Sequence, residues 1–170
     1  MRSPDGWFVV WTESRAEKKV ESRVSALGME PWLPTVTERH RWSDRWRDVE
    51  APLFPGYLFA RPAAGWQVVL RTRGVLTVVK SGGKPAVVSD GFVQDLREAI
   101  RRGGDAVKPL PETAAFEPGD EVIVQEGPLC GVRGVVRELR GGRQLIIWVS
   151  AIGRGVAFNI GAALVAPAHG

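Results

Sequence analysis

The 170-residue chain has one cysteine, Cys130, and two histidines, His40 and His169. A lone cysteine closes no internal disulfide. One cysteine and two histidines do not supply a zinc ligand set in any usual spacing. His169 stands at the extreme C-terminus, so a Cys–His nucleophile pair would need His40 and Cys130 to meet from distant segments. The glycines near Gly82 and Gly142 fall between strand patterns, so a phosphate-binding loop opening onto a helix is excluded as well. Catalysis is therefore not expected, and neither is a cofactor. The chain also lacks any apolar run near the roughly 20 residues that span a bilayer. Phe8 to Trp11 is too short for the core of a signal peptide, and charges follow at once. The cytoplasm is the expected location.

The chain does have tryptophan and positive charge. Six of the seven tryptophans precede residue 70. Residues 1–103 hold 17 of the 23 basic residues and 12 of the 19 acidic ones, a net of +5, and the remainder is close to neutral. A basic front half suits a polyanionic partner, although a modest excess of charge also serves solubility alone.

The patterning predicts an α+β protein in two parts. Trp7 to Trp11 reads as a strand with Trp7, Val9 and Trp11 on one face. A helix follows, with Ser14 as N-cap, Glu17 completing a capping box, and Ala16, Val20, Val24 and Leu27 as the buried stripe. Gly28 ends it in a left-handed cap. The basic side chains of Arg15, Lys18, Lys19 and Arg23 lie off that stripe. Trp32 to Thr37 is extended, residues 40–47 form the tip of a hairpin with Ser43-Asp44 as its turn, and Tyr57 to Ala60 is a strand. A short helix over 66–70, a strand over 75–80 and a helix over 90–102 with Val93, Leu96 and Ile100 inward complete this half. Residues 104–117 read as a linker. From 118 onward five short strands are expected, at 121–125, 133–139, 144–149, 155–159 and 164–166, with Gly141-Gly142 as a hairpin turn. Such strands suit a small barrel.

Two surfaces stand out. Val9, Trp11, Phe54 and Tyr57 are either core or an apolar docking patch, and residue types alone favour core. The hairpin tip alternates cations and aromatics through Arg41, Trp42, Arg45 and Trp46. Arginine pairs with phosphate, and an exposed indole stacks on an unpaired base. The alternative is a solvated hairpin whose tryptophans pair across the strands.

Pro52-Leu53-Phe54-Pro55-Gly56-Tyr57-Leu58-Phe59 resembles the N-terminal domain of NusG-type transcription elongation factors. Gly119-Asp120-x-Val122-x-Val124-x-x-Gly127-Pro128-Leu129-x-Gly131-x-x-Gly134 resembles the KOW module of the same family. The order and spacing of the two cover nearly the whole chain. The resemblance implies a NusG-like α/β sandwich with an antiparallel sheet over 1–103, a linker over 104–117 and an SH3-like KOW barrel over 118–170. It implies that Val9, Trp11, Phe54 and Tyr57 line a depression gripping the clamp helices of the largest RNA polymerase subunit. Trp42-Ser43-Asp44-Arg45 and Thr72-Arg73-Gly74-Val75 are most similar to the specialised UpxY-like and RfaH-like antiterminators. In RfaH-like proteins the positions matching Thr72 and Arg73 contact the displaced non-template DNA strand, and Lys19 and Arg23 occupy corresponding basic helix positions, with Lys18 beside them on the basic helix face as a further nucleic-acid candidate. In the KOW module, Ile152 and Arg154 match the loop that binds Rho and a ribosomal protein. Ile152 and Leu129 replace aromatics there, which speaks against Rho. The expected function is antitermination by holding the polymerase clamp closed, for particular operons. The alternatives are a housekeeping elongation factor or a ribosome-associated RNA-binding protein.

Overall fold

The computed structural model describes residues 6–61, 65–103, 107–109, 121–125, 130–139, 142–159 and 165–167. The chain divides into two compact units, Met1–Val93 and Gln94–Gly170. Both are built on antiparallel sheets, and the expected α+β class holds.

The first unit centres on β1 (Trp7–Thr12). It pairs on one side with β5 (Tyr57–Arg61), which in turn pairs with β2 (Glu30–Trp32). On its other side it pairs with β6 (Val75–Val78) and β9 (Val87–Val88). A central strand is covered on both faces, which is why β1 is buried nearly throughout instead of alternating. One face carries Val10, Leu58 and Ala60 and packs on helix α1 (Glu17–Ala26) through Val20 and Val24, with Met29, Leu33 and Val69 filling in. On the other face Trp32 stacks on Phe59 at 5.3 Å. The buried Trp7 indole donates to Asp90 at 3.1 Å, and the Arg61 guanidinium lies over its ring.

Helix α1 departs from expectation at both ends. Its N-cap is Ala16, with no side-chain cap. Residues Glu13 to Ala16 form a turn closed by the Ala16 N–H on the Glu13 carbonyl, with Arg15 at φ 62°. That turn takes Ser14 out of capping position. Leu27 is exposed, whereas Gly28 takes the left-handed conformation at φ 82°.

β3 (Thr35–Trp42) and β4 (Arg45–Pro52) form a separate two-stranded ribbon with Ser43-Asp44 as its turn, Ser43 at φ 48°. Its residues are exposed except near the base. Eight residues per strand make it about 26 Å long. A short 3₁₀ helix (Trp66–Arg71) precedes β6. A small hairpin of β7 (Lys80–Ser81) and β8 (Lys84–Pro85) follows. Helix α2 (Asp90–Gly103) is N-capped by Ser89, whose Oγ accepts the Phe92 N–H at 3.2 Å. Val93 and Leu96 are buried as expected, together with Ala99, and Ile100 is half-buried.

The second unit holds one antiparallel sheet. Its order is β10 (Val107–Pro109), β14 (Arg154–Asn159), β13 (Gly142–Val149), β12 (Arg133–Leu139), β11 (Val122–Val124) and β15 (Val165–Pro167). Its core is Val124, Val132, Leu145, Ile146, Val149, Val156 and Phe158. Five strands match the expected ones to within two residues. The sixth, β10, comes from the expected linker, where Val107 pairs with Phe158. The other linker positions, 104–106 and 110–117, lie outside the described residues, as do Gly119, Asp120, Gly127, Pro128 and Leu129 of the glycine signature. No pairing among the described residues closes the sheet into a barrel. Gly142 is a strand residue paired with Leu139, not a turn residue. Gly134 sits where a Cβ would lie 2.6 Å from the Ile146 carbonyl oxygen, so the two strands approach closely there.

Candidate functional site

The Pro55-Gly56 turn of the first unit is anchored by hydrogen bonds at both the amide and the carbonyl of Gly56. The Tyr57 N–H closes it on the Phe54 carbonyl at 3.0 Å, and Gly56 has φ 88°, the Pro-Gly arrangement of a type II turn. The Gly56 carbonyl accepts the Thr12 N–H at 2.8 Å, and the Gly56 N–H donates to Glu17 Oε1 at 3.0 Å. Glu17 is only 7% exposed. This buried carboxylate of α1 therefore holds the turn against the end of β1. The S-x-x-E spacing suggested a capping role; the long-range partner of Glu17 left no local signal.

This turn sets up the apolar patch. Trp11 and Tyr57 are direct cross-strand partners, and Thr77 flanks Trp11 on the far side. Trp11 is 45% exposed and its indole edge lies over Gly56, while Tyr57 is half-buried. Val9 and Phe54 are not at the surface: both are core residues with essentially no exposure. Val9 lies mid-strand on a central strand, and Phe54 is folded under the turn. The four expected docking residues thus reduce to Trp11 and Tyr57 at the surface, with Val9 and Phe54 beneath.

The basic candidates gather on α1. The Arg23 guanidinium donates to the Arg73 carbonyl at 2.7 Å, and the Gly74 carbonyl accepts the Glu13 N–H at 2.8 Å. Gly74 has φ 94°, and a Cβ there would lie 2.9 Å from Val20 Cγ2. Only glycine lets the Thr72-Arg73-Gly74 turn sit this close to the helix. Arg73 and Lys19 are exposed, and Lys19 is one helical turn from Arg23. Thr72 is half-buried, and its hydroxyl is enclosed without a hydrogen-bond partner among the described residues, so the side chain of Arg73, not that of Thr72, is the one presented. Lys18 points the other way and donates to the Glu50 carbonyl at 3.1 Å, tying α1 to the ribbon. Thr12 pairs with Val75, so this basic turn adjoins the end of β1 that carries Trp11.

On the ribbon, Trp42 pairs with Arg45 and Trp46 with Arg41. The two tryptophans, 62% and 57% exposed, therefore project from opposite faces and do not pair with each other. In the second unit Ile152 and Arg154 lie at the β13–β14 connection, both half-buried, with the Ile152 N–H on the Val149 carbonyl at 3.2 Å. Cys130 is exposed, and no cluster of metal-ligating side chains occurs among the described residues. No helix among them is long and apolar enough to cross a membrane.

A protein-family model described as "NusG: Transcription termination factor nusG" matches residues 5–97. The transcription termination/antitermination protein NusG of Pseudomonas aeruginosa is 32% identical over 146 residues, covering 78% of this chain and 81% of that protein. Its counterpart from Escherichia coli strain K12 is 29% identical over 146 residues, covering 78% and 79%. A solved structure described as "Domain interaction in Thermotoga maritima NusG" is 27% identical, covers 91% of this chain and 93% of its own, and superposes with a TM-score of 0.48.

Proposed function

The chain belongs to the NusG family of transcription termination/antitermination proteins, and we propose that within it the chain is an operon-specific antitermination factor. Its relatives are transcription factors, not enzymes. In this reading Trp11 and Tyr57 dock on the clamp helices of the largest RNA polymerase subunit. Lys19, Arg23 and Arg73 then run along the displaced non-template DNA strand. Holding the clamp closed suppresses pausing and termination. Differential binding of about 1.4 kcal/mol suffices, since that shifts a pause equilibrium tenfold.

The observation that carries this reading is the shared location of the two surfaces. The end of β1 joins the exposed Trp11–Tyr57 pair to the basic turn on α1. A docked polymerase would bring the turn to the nucleic acid beside it. Preference for the specialised role rests on the Trp42-Ser43-Asp44-Arg45 and Thr72-Arg73-Gly74-Val75 runs. The β13–β14 connection of the second unit is the surface for a further partner, with the ribosome favoured over Rho because Ile152 offers less contact area than an aromatic.

The test is polymerase binding by full-length variants. Tyr57→Ala is expected to weaken binding by roughly 2 kcal/mol or more, as at an interface hot spot, with an unchanged folded-state spectrum. Parent-like affinity for Tyr57→Ala and Trp11→Ala together would reject the docking assignment.

A further inference from the structure

We propose that the β3–β4 ribbon is a single-strand nucleic-acid clip with one working face, in which Trp42 stacks on a base while Trp46 only seats the arginines of the opposite face. The proposal rests on the nucleic-acid reading above and assigns to the ribbon a contact separate from the α1 surface.

Charge is segregated along the ribbon. Its distal part, residues 39–47, holds Arg39, Arg41, Arg45 and Arg47 against one acid, Asp44 at the turn. Of the other acids, Asp48 stands directly opposite Arg39, at the inner limit of this part, and Glu38 and Glu50 sit nearer the base. The end that projects is thus the one complementary to a polyanion.

The register divides that end into two unlike faces. On one face Trp46 stands opposite Arg41 and diagonal to Arg39. The two guanidinium carbons lie 6.0 Å and 5.2 Å from its ring centroid. These are cation–π distances, so the ring is occupied by the chain's own arginines. On the other face Trp42 stands opposite Arg45, and His40 stands opposite Arg47. His40 is paired with Glu38 at 2.9 Å. Among the described residues Trp42 has no ring or cation–π partner and is the most exposed large apolar side chain of the first unit.

A 62% exposed indole costs solubility unless something covers it. The neighbouring cations select the cover. Arg45 and Arg47 are two residues apart on one strand, about 6.6 Å along it, close to the spacing of successive phosphates on an extended single strand. Indole below a base and guanidiniums on the flanking phosphates is the usual composition of a single-strand site that tolerates any sequence. A base pair in a duplex hides its face, so duplex is a poor ligand.

The test is fluorescence anisotropy of full-length protein with a labelled single-stranded oligonucleotide of about ten nucleotides, as DNA and as RNA, beside the matching duplex. Trp42→Leu is expected to lose about 5- to 150-fold in affinity with an unchanged salt slope, and Trp42→Tyr to recover most of the loss. Arg45→Ala and Arg47→Ala are expected to lower the slope by about 0.7 each. Trp46→Leu is expected to lose less than Trp42→Leu. Binding of either oligonucleotide with this pattern supports the proposal, and the tighter one identifies the source of the strand. Several results overturn it. If Lys19→Ala and Arg73→Ala weaken binding but Trp42→Leu does not, the α1 reading stands and the clip fails. Equal losses for Trp42→Leu and Trp46→Leu remove the one-face assignment. Trp42→Leu binding the oligonucleotide normally but polymerase poorly would make the ribbon a protein-docking element. No binding of the parent to either strand at low salt would sink the nucleic-acid reading itself.

Discussion

Glu17→Ala separates a structural carboxylate from the surface charges around it. The Glu17 carboxylate accepts the Gly56 N–H at 3.0 Å and is almost fully enclosed. A hydrogen bond to a charged group contributes about 1.5–3 kcal/mol. Glu17 also opens α1, where a negative charge contributes about 0.3–1 kcal/mol against the helix dipole. Relief of the buried carboxylate's desolvation offsets part of the loss, leaving a net cost of about 1–3 kcal/mol for the variant. For a unit of this size each 1 kcal/mol lowers the melting temperature by about 4–8 °C. Glu17→Gln keeps an acceptor oxygen in the same place and is expected to lose about half as much. Thermal unfolding read in the near-ultraviolet tryptophan band gives the stability. Amide hydrogen exchange at Gly56 gives the cause, since its protection should fall in the alanine variant and largely persist in the glutamine one. A Glu17→Ala protein that melts with the parent and keeps Gly56 protected would show that the carboxylate does not hold the turn. Loss of stability with Gly56 protection intact would show that the charge acts through the helix, not the turn.

Two further outcomes concern the second unit. Gly134→Ala places a Cβ 2.6 Å from the Ile146 carbonyl oxygen and 2.9 Å from Leu145 Cγ, so it should destabilise the sheet by about 1–3 kcal/mol, read as faster amide exchange along β12 and β13. Glu98 on α2 accepts hydrogen bonds from Arg101 and Arg102, which together hold its carboxyl at about 2 instead of the ordinary 4.5. Its folded-state value is depressed, so its support of the helix is fully present above pH 4.5 and is lost as pH falls toward 2. An NMR titration of the Glu98 carboxyl should give that low midpoint, and replacing both arginines by alanine should return it toward 4.5.

The strands of the second unit were legible because short alternating runs between glycines leave few other solutions, and five of them fall within two residues of expectation. The missing one, β10, has three residues in a Gly/Pro-rich stretch and exists only through its pairing with β14, which no local pattern encodes. For Val9 and Phe54 the residue types pointed to core, as found, but they do not show that Trp11, on the same strand as Val9, stays exposed. Alternation marks an exposed face only when one side of a sheet meets solvent, and β1 lies in the middle of a sheet packed on both sides. The ribbon was half legible. Its composition and turn were read correctly, and a two-residue turn at Ser43-Asp44 already implies the register that sets Trp42 and Trp46 on opposite faces. That Arg39 and Arg41 lie over Trp46 depends on their side-chain rotamers, which register alone does not set. Glu17 was misread because a nearby capping pattern and a distant amide compete for the same carboxylate, and sequence displays only the first.

Antitermination by this protein is read in single-round transcription on a template with a pause site and an intrinsic terminator, using purified RNA polymerase with and without the full-length protein. The parent is expected to shorten pauses and raise read-through, with both effects largely lost in the Trp11→Ala, Tyr57→Ala double variant. Unchanged or increased termination with the parent, or full activity in the double variant, would contradict this.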